Sequence, residues 1–263
     1  MRLNILPAKV GCILLSQIKG ILFDKDGTLI DFFTVYVQAV KQLVDQLLAD
    51  YGLSENSLLK EELLRGIGLQ GDQVDPKGIM ASGTSEDFAE AFSELLRNNH
   101  VDSRKLENLH SWISRELFLL TRPNIDQMKQ TADLPELLSQ LQRYGIKVGI
   151  ATADDWEATN LSLEKLGIVK YFNFIGTSDY YDKKPDPCMF HAFCQKYDLK
   201  PAEVAVVGDT IVDLHFARNA SAGLVIGVLS GVSGPKELEV LADIILPTVG
   251  EIVQEDGRLV WER

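Results

Sequence analysis

Asp24 and Asp26 flank a lysine in the run Gly20-Ile21-Leu22-Phe23-Asp24-Lys25-Asp26-Gly27-Thr28-Leu29-Ile30, where an apolar stretch stops at two carboxylates and a glycine. Residues two apart on extended backbone point to one side, and Gly27 permits a tight turn that a side chain would obstruct. Two carboxylates so placed could hold a divalent cation beside a nucleophile. The same letters open calcium loops, but an EF-hand starting at Asp24 would need glycine at its sixth position and glutamate at its twelfth, where this chain has Leu29 and Val35. A plain turn after a strand would use them too, and this motif alone leaves that reading open.

Further along, two more apolar runs end in groups of similar use. Val148-Gly149-Ile150-Ala151 stops at Thr152, and Val204-Ala205-Val206-Val207-Gly208 stops at Asp209, with Asp213 one helical turn later. Between them lies Lys183-Lys184-Pro185-Asp186-Pro187, a lysine framed by stiff prolines. Each has an ordinary alternative. Thr152 could cap a helix, Asp213 could be a first-turn acid favoured by the helix dipole, and Lys184 could be an exposed loop lysine.

The elements that must position these residues follow from patterning. Ile21, Leu22 and Phe23 do not alternate with polar residues, so the strand they predict is covered on both faces, as in a parallel sheet flanked by helices. In such sheets ligands bind at the C-terminal ends of the strands. From Asp133 onward helix and strand alternate: helix over 134–144, strand 148–152, helix 156–166, a short strand 172–176, helix 187–197, strand 204–209, helix 211–220, strand 224–229 and a last strand 244–246. Phe32, Val35, Val37, Val40, Leu43, Val44, Leu47 and Leu48 recur at helical spacing, as do stretches over 58–67, 85–96 and 103–120. Gly68 to Thr84 breaks periodicity and reads as a long loop, either functional or a mobile linker. The predicted organisation is a core segment over 1–31, an all-helical domain over 32–127 with Pro123 to Thr131 leading back, and a second core segment over 128–263.

The 263 residues carry a formal charge of −12 with 46% hydrophobic composition, which suits a globular protein and argues against a nucleic-acid partner. Cys12, Cys188 and Cys194 lack metal-ligand or redox spacing, as expected in a reducing compartment. Met1 to Leu15 has an apolar tract, but Lys9 interrupts it and no clean small-x-small cleavage site follows; a cytoplasmic protein with no membrane partner is expected. Residues 1–16 read as an edge strand or a loose arm. His100, His110, His191 and His215 are scattered and suggest no shared site.

Taken in order, Asp24-Lys25-Asp26-Gly27-Thr28, the strand ending in Thr152, Lys184-Pro185-Asp186-Pro187 and Gly208-Asp209-Thr210-Ile211-Val212-Asp213 resemble the four signature motifs of the haloacid dehalogenase-like hydrolase superfamily. The resemblance covers about two-thirds of the chain; in the insert only placement and helicity match. It implies an α/β core with a doubly wound, Rossmann-like parallel sheet and an inserted helical C1-type cap, closest in texture to the phosphoglycolate phosphatase-like branch. It further implies that Asp24 is the nucleophile of an aspartyl-phosphate mechanism and Asp26 the general acid and base. Mg²⁺ is then held by Asp24, the Asp26 carbonyl and Asp209; Thr152, the Ala153 amide and Lys184 bind the phosphoryl group; and Asp213 orients Lys184 or a metal-bound water. Gly27, Thr28 and Gly208 support the site. Lys183 is the alternative to Lys184, but the family places its lysine directly before proline. Ser221 stands where the family more often has glycine, which bears on how the preceding helix ends.

The expected activity is hydrolysis of a small phosphorylated metabolite, phosphoglycolate-like or a sugar phosphate, by an Mg²⁺-dependent phosphatase. The retained acid at Asp26 favours phosphoryl transfer over dehalogenation. Phosphoglucomutase-like transfer on the same fold, or a non-catalytic binding protein, are the alternatives. Cap residues that could read the leaving group are Arg65, Lys77 and Ser82.

Overall fold

The structure, a computed structural model, describes residues 18–122 and 128–262, without the side chains of 32–35. The expectations for residues 1–16, for the Phe32 and Val35 side chains and for most of the linker after Pro123 fall outside the described set. The chain divides into two compact units, one of residues 18–31 together with Lys129 onward, the other Phe32–Met128.

β1 (Gly20–Phe23) is buried along its whole length, as its unbroken apolar run predicts. The chain then enters the helical unit. α1 (Phe32–Asp50) buries Val37, Val40, Leu43, Val44, Leu47 and Leu48 along one stripe and stops before Gly52, whose φ is +71°. α2 (Ser57–Gly66) follows, capped by the Asn56 side chain. The segment 68–84 is not the unstructured loop that its glycines suggest. It holds a two-stranded ribbon of β2 (Leu69–Gln70) and β3 (Gln73–Val74) and a one-turn α3 (Ile79–Ser82), tied to the end of α2 by Met80 N donating to Ile67 O at 2.8 Å. α4 (Ser85–Asn98) starts on a capping box between Thr84 and Asp87. The helix expected over 103–120 is two pieces, a 3₁₀ turn at Ser103–Leu106, started by the Asp102 side chain accepting from Arg104 N, and α5 (Leu109–Thr121).

In the core unit α6 (Leu134–Arg143) carries Pro135 in its first turn and buries Leu134, Leu137, Leu138 and Leu141. β4 (Lys147–Ala151), α7 (Trp156–Lys165), β5 (Ile175–Gly176), α8 (Cys188–Tyr197), β6 (Val204–Gly208), α9 (Ile211–Asn219), β7 (Leu224–Val228), α10 (Pro235–Leu238) and β8 (Ile244–Leu246) complete it. β5 is shorter than the strand expected over 172–176. Phe172 and Phe174 are buried in the core, yet only Ile175 and Gly176 pair with β4. α9 ends with Ser221 in the left-handed region at φ +58°, so the helix closes there without glycine.

The sheet order is β5-β4-β1-β6-β7-β8, every pairing parallel, with β1 between the two wings. This is a doubly wound α/β core, and the reversal of strand order at β1 makes its C-terminal edge the crevice of the fold. Phe23 lies opposite Ile150 of β4 and Val207 of β6. The residues just past those three strand ends, Asp24, Thr152 and Asp209, are thereby brought to one edge. Among the described residues no helix is long and apolar enough to cross a membrane.

Candidate active site

Asp24 remains tied to the sheet by its amide, which donates to Val207 O at 2.8 Å. The extended backbone ends at β1, however. Gly27 N donates to Ile30 O and Leu29 N to Lys25 O, so Lys25 to Ile30 is a closed turn rather than an extended run. Gly27 makes the turn at φ +83°.

The two carboxylates take different partners. Asp24 Oδ1 accepts from Lys184 Nζ at 2.6 Å, and the same ammonium reaches Asp213 Oδ1 at 2.5 Å. Lys184 is buried, while Lys183 beside it is exposed. Oxygens of Asp24, Asp209 and Asp213 lie within 4.8 Å of one another. Asp213 also serves its own helix: its Oδ2 accepts from Thr210 N and Oγ1 at the start of α9, so it is at once a first-turn acid and a partner of Lys184.

Asp209 is 1% exposed, and its carboxylate accepts from Thr28 Oγ1 at 3.2 Å and from Val232 N at 2.9 Å, two neutral donors. Gly231 approaches so closely that a Cβ there would come to 1.8 Å from Asp209 Oδ2. The loop after β7 thus closes over this carboxylate, a feature sequence reasoning missed although the run Ser230-Gly231-Val232-Ser233-Gly234 marks a turn directly after a buried strand.

Electrostatics set the demand of the site. Burial pushes the Asp24 carboxyl up to about 7, opposed by Lys184 and reinforced by Asp213. Burial likewise raises Asp26, opposed by Lys25, and holds Asp209 well above the ordinary carboxylate range, with Asp24 and Asp213 adding to it. Burial works against the Lys184 ammonium, but Asp213 and Asp24 outweigh it and keep it charged. Three clustered carboxylates with a single ammonium, shared by Asp24 and Asp213, leave negative charge unbalanced, and their hard oxygen donors fit Mg²⁺.

Thr152 sits beyond β4, its amide bonded to Gly176 O and its Oγ1 accepting from Asp154 N at 3.1 Å. Ala153 follows at the entrance to α7, whose N-cap is Asp155. Sequence reasoning also missed Lys25 and Asp154. Lys25 is 1% exposed, with Nζ 2.7 Å from Asp26 Oδ2 and 3.0 Å from Asp154 Oδ2. A lysine inside a polar turn reads as solvated, and only its burial shows otherwise. Arg65, Lys77 and Ser82 belong to the helical unit, the first two exposed.

Comparison with known proteins agrees with this geometry. A model of the haloacid dehalogenase-like hydrolase family matches residues 18–221. A phosphoglycolate phosphatase of Pectobacterium atrosepticum is 30% identical over 91% of this chain and 92% of its own, and an N-acetylmuramic acid 6-phosphate phosphatase of Pseudomonas aeruginosa is 24% identical over 78% and 79%. The solved structure of a hydrolase from Pseudomonas syringae shares the fold, with a TM-score of 0.61 at 22% identity over 88% of this chain and 94% of that one. The four motifs, the parallel core and these matches together place the chain in the haloacid dehalogenase-like hydrolase family, as an enzyme of the phosphoric monoester hydrolase class.

Proposed function

We propose that this phosphatase hydrolyses a small phosphorylated metabolite through an aspartyl-phosphate on Asp24. The observation that carries the reading is the Lys184 ammonium, which joins Asp24 to Asp213 across 160 and 29 residues of sequence, with Asp209 alongside. An unpaired structural lysine would not be buried at the meeting point of three strand ends.

In this reading an Asp24 oxygen bonds to phosphorus as the bond to the leaving oxygen breaks, and Asp26 supplies that oxygen with its proton. Water then attacks phosphorus, gives its proton to Asp26, and releases Asp24 and inorganic phosphate. Lys184 offsets charge on the nucleophile and the phosphoryl group, held in place by Asp213. Thr152 and the Ala153 amide bind phosphoryl oxygens at the mouth of α7. Mg²⁺ would be held by Asp24, the Asp26 carbonyl and Asp209, and when bound it neutralises charge between the carboxylate and the phosphoryl dianion. Residues 32–127 serve as the C1-type cap, a role supported by their insertion between β1 and the rest of the sheet and by their helical make-up.

The substrate class is supported by relatives named as phosphatases of phosphoglycolate, N-acetylmuramic acid 6-phosphate and glyceraldehyde 3-phosphate, which share a phosphate monoester and differ in what carries it. The same names favour water as the acceptor, so a mutase is not proposed. Asp24→Asn should abolish turnover of 4-nitrophenyl phosphate with Mg²⁺, while Asp26→Asn lowers turnover of phosphates with poor leaving groups by about 10² to 10⁴ through lost proton transfer. Full activity in folded Asp24→Asn would overturn the mechanism, and a panel of phosphorylated metabolites assayed by phosphate release identifies the substrate.

A further inference from the structure

Lys25 stands between the two acids of the first motif, where an ordinary lysine would be solvated. It is instead among the largest fully buried side chains of the protein. Burying an ammonium is costly unless it is closely paired. Here Nζ lies 2.8 Å from Asp26 Oδ1 and 2.7 Å from Oδ2, so one cation grips both oxygens of that carboxylate. Its third contact is Asp154 Oδ2 at 3.0 Å.

Asp154 is itself anchored in the loop after β4. Its amide donates to Thr152 Oγ1, its carbonyl accepts from Ser178 N at 3.1 Å, and its Oδ1 accepts from Asp155 N at 3.0 Å. A chain of short contacts therefore runs from the β4 tip through Asp154 and Lys25 to Asp26 at the β1 tip. We propose that Lys25, held by Asp154, is a positioning residue that fixes the Asp26 carboxyl for proton transfer to the leaving oxygen. This rests on the phosphatase reading above. A carboxyl free to rotate spends much of its time aimed elsewhere, whereas one gripped through both oxygens and tied to the neighbouring strand keeps one orientation. In the step concerned, the Asp24–phosphorus bond forms, the phosphorus–leaving-oxygen bond breaks and the proton passes from Asp26 to that oxygen, releasing an alcohol and an Asp26 carboxylate.

The test is the dependence of kcat/KM on the leaving group, because kcat/KM reports the step in which the alcohol departs and is blind to the later hydrolysis. A nitrophenolate leaves with little help from a proton, and an alkoxide does not. Lys25→Met should lower kcat/KM by about tenfold or less for 4-nitrophenyl phosphate and by about 10² or more for phenyl and alkyl phosphates, the pattern of Asp26→Asn in weaker form. Lys25→Arg, which keeps the cation, should recover part of the loss on the poor leaving groups. Asp154→Asn keeps Lys25 and should show the same slope at smaller amplitude, and it carries the test if Lys25→Met does not fold. An equal loss across the series in these variants, or none, overturns the proposal and leaves a structural role. Wild-type protein inactive on every phosphate, or activity surviving in Asp24→Asn, overturns the phosphatase mechanism instead, so the two failures are distinct.

Discussion

Asp209 shows at single-residue scale how function and stability pull apart. Its carboxylate is buried between Gly27 and Gly231, close to Asp24 and Asp213, and receives hydrogen bonds from a hydroxyl and an amide but from no cation among the described residues. Without a metal, an ionised carboxylate there costs stability through lost hydration and repulsion from two like charges. Asp209→Asn removes the charge at nearly constant volume. The metal-free variant should therefore be more stable than wild type at pH 8, by about 1 to 3 kcal/mol in urea unfolding, while phosphatase activity and stabilisation by Mg²⁺ are lost. A metal-free variant less stable than wild type would mean that the carboxylate has a cation partner of its own and that the metal assignment is wrong.

At the scale of elements, α9 does two jobs with one acid. Thr210 caps the helix by accepting from Asp213 N at 3.2 Å, and Asp213 returns the contact through Oδ2 while Oδ1 faces Lys184. Thr210→Ala removes the cap and one of the two donors to Asp213 Oδ2. It should cost about 1 kcal/mol in urea unfolding and lower kcat more than it raises KM, since substrate binding is left and the lysine is loosened. Unchanged stability would show that the capping box does not hold the helix start. The strands that carry the site were legible in the sequence because buried parallel strands read as unbroken apolar runs, and Asp24, Thr152 and Asp209 could be placed because each ends such a run. The rest was hidden for physical reasons. Phe172 reports burial rather than backbone pairing, and Phe174 joins β4 only through its carbonyl, so β5 looked longer than it is. The glycines of 68–84 look like breakers but accompany a compact ribbon and turn. Lys25 and Asp154 are ordinary surface residue types, and their pairing depends on the register of β1 against β4, which no local pattern reports.

Across the whole molecule, the site buries several of the acids that give the chain its charge of −12, and this makes its stability depend on protons and metal together. The Asp24 carboxyl is raised to about 7 and Asp209 well above its ordinary value, both chiefly by burial, whereas in the unfolded chain each ionises near 4. Between about pH 4 and 7 the metal-free folded protein then binds more protons than the unfolded chain. Unfolding releases protons, so the contribution of these groups to stability falls as pH rises through the window. Asp102 and Asp256, held low by hydrogen bonds from Arg104 and Arg258, act in the opposite sense, but their contribution is lost only as pH falls below about 4. A divalent cation binds the ionised carboxylates, so its affinity tightens as those protons leave. Thermal unfolding at pH 5 and pH 8, with and without Mg²⁺, should show a larger metal-induced gain at pH 8, approaching about 2.7 kcal/mol at a hundredfold excess over Kd. The difference in metal-free stability between wild type and Asp209→Asn should also widen from pH 5 to pH 8. If the gain from Mg²⁺ is the same at both pH values, the cation is not exchanging with protons on these carboxylates and binds elsewhere on the protein.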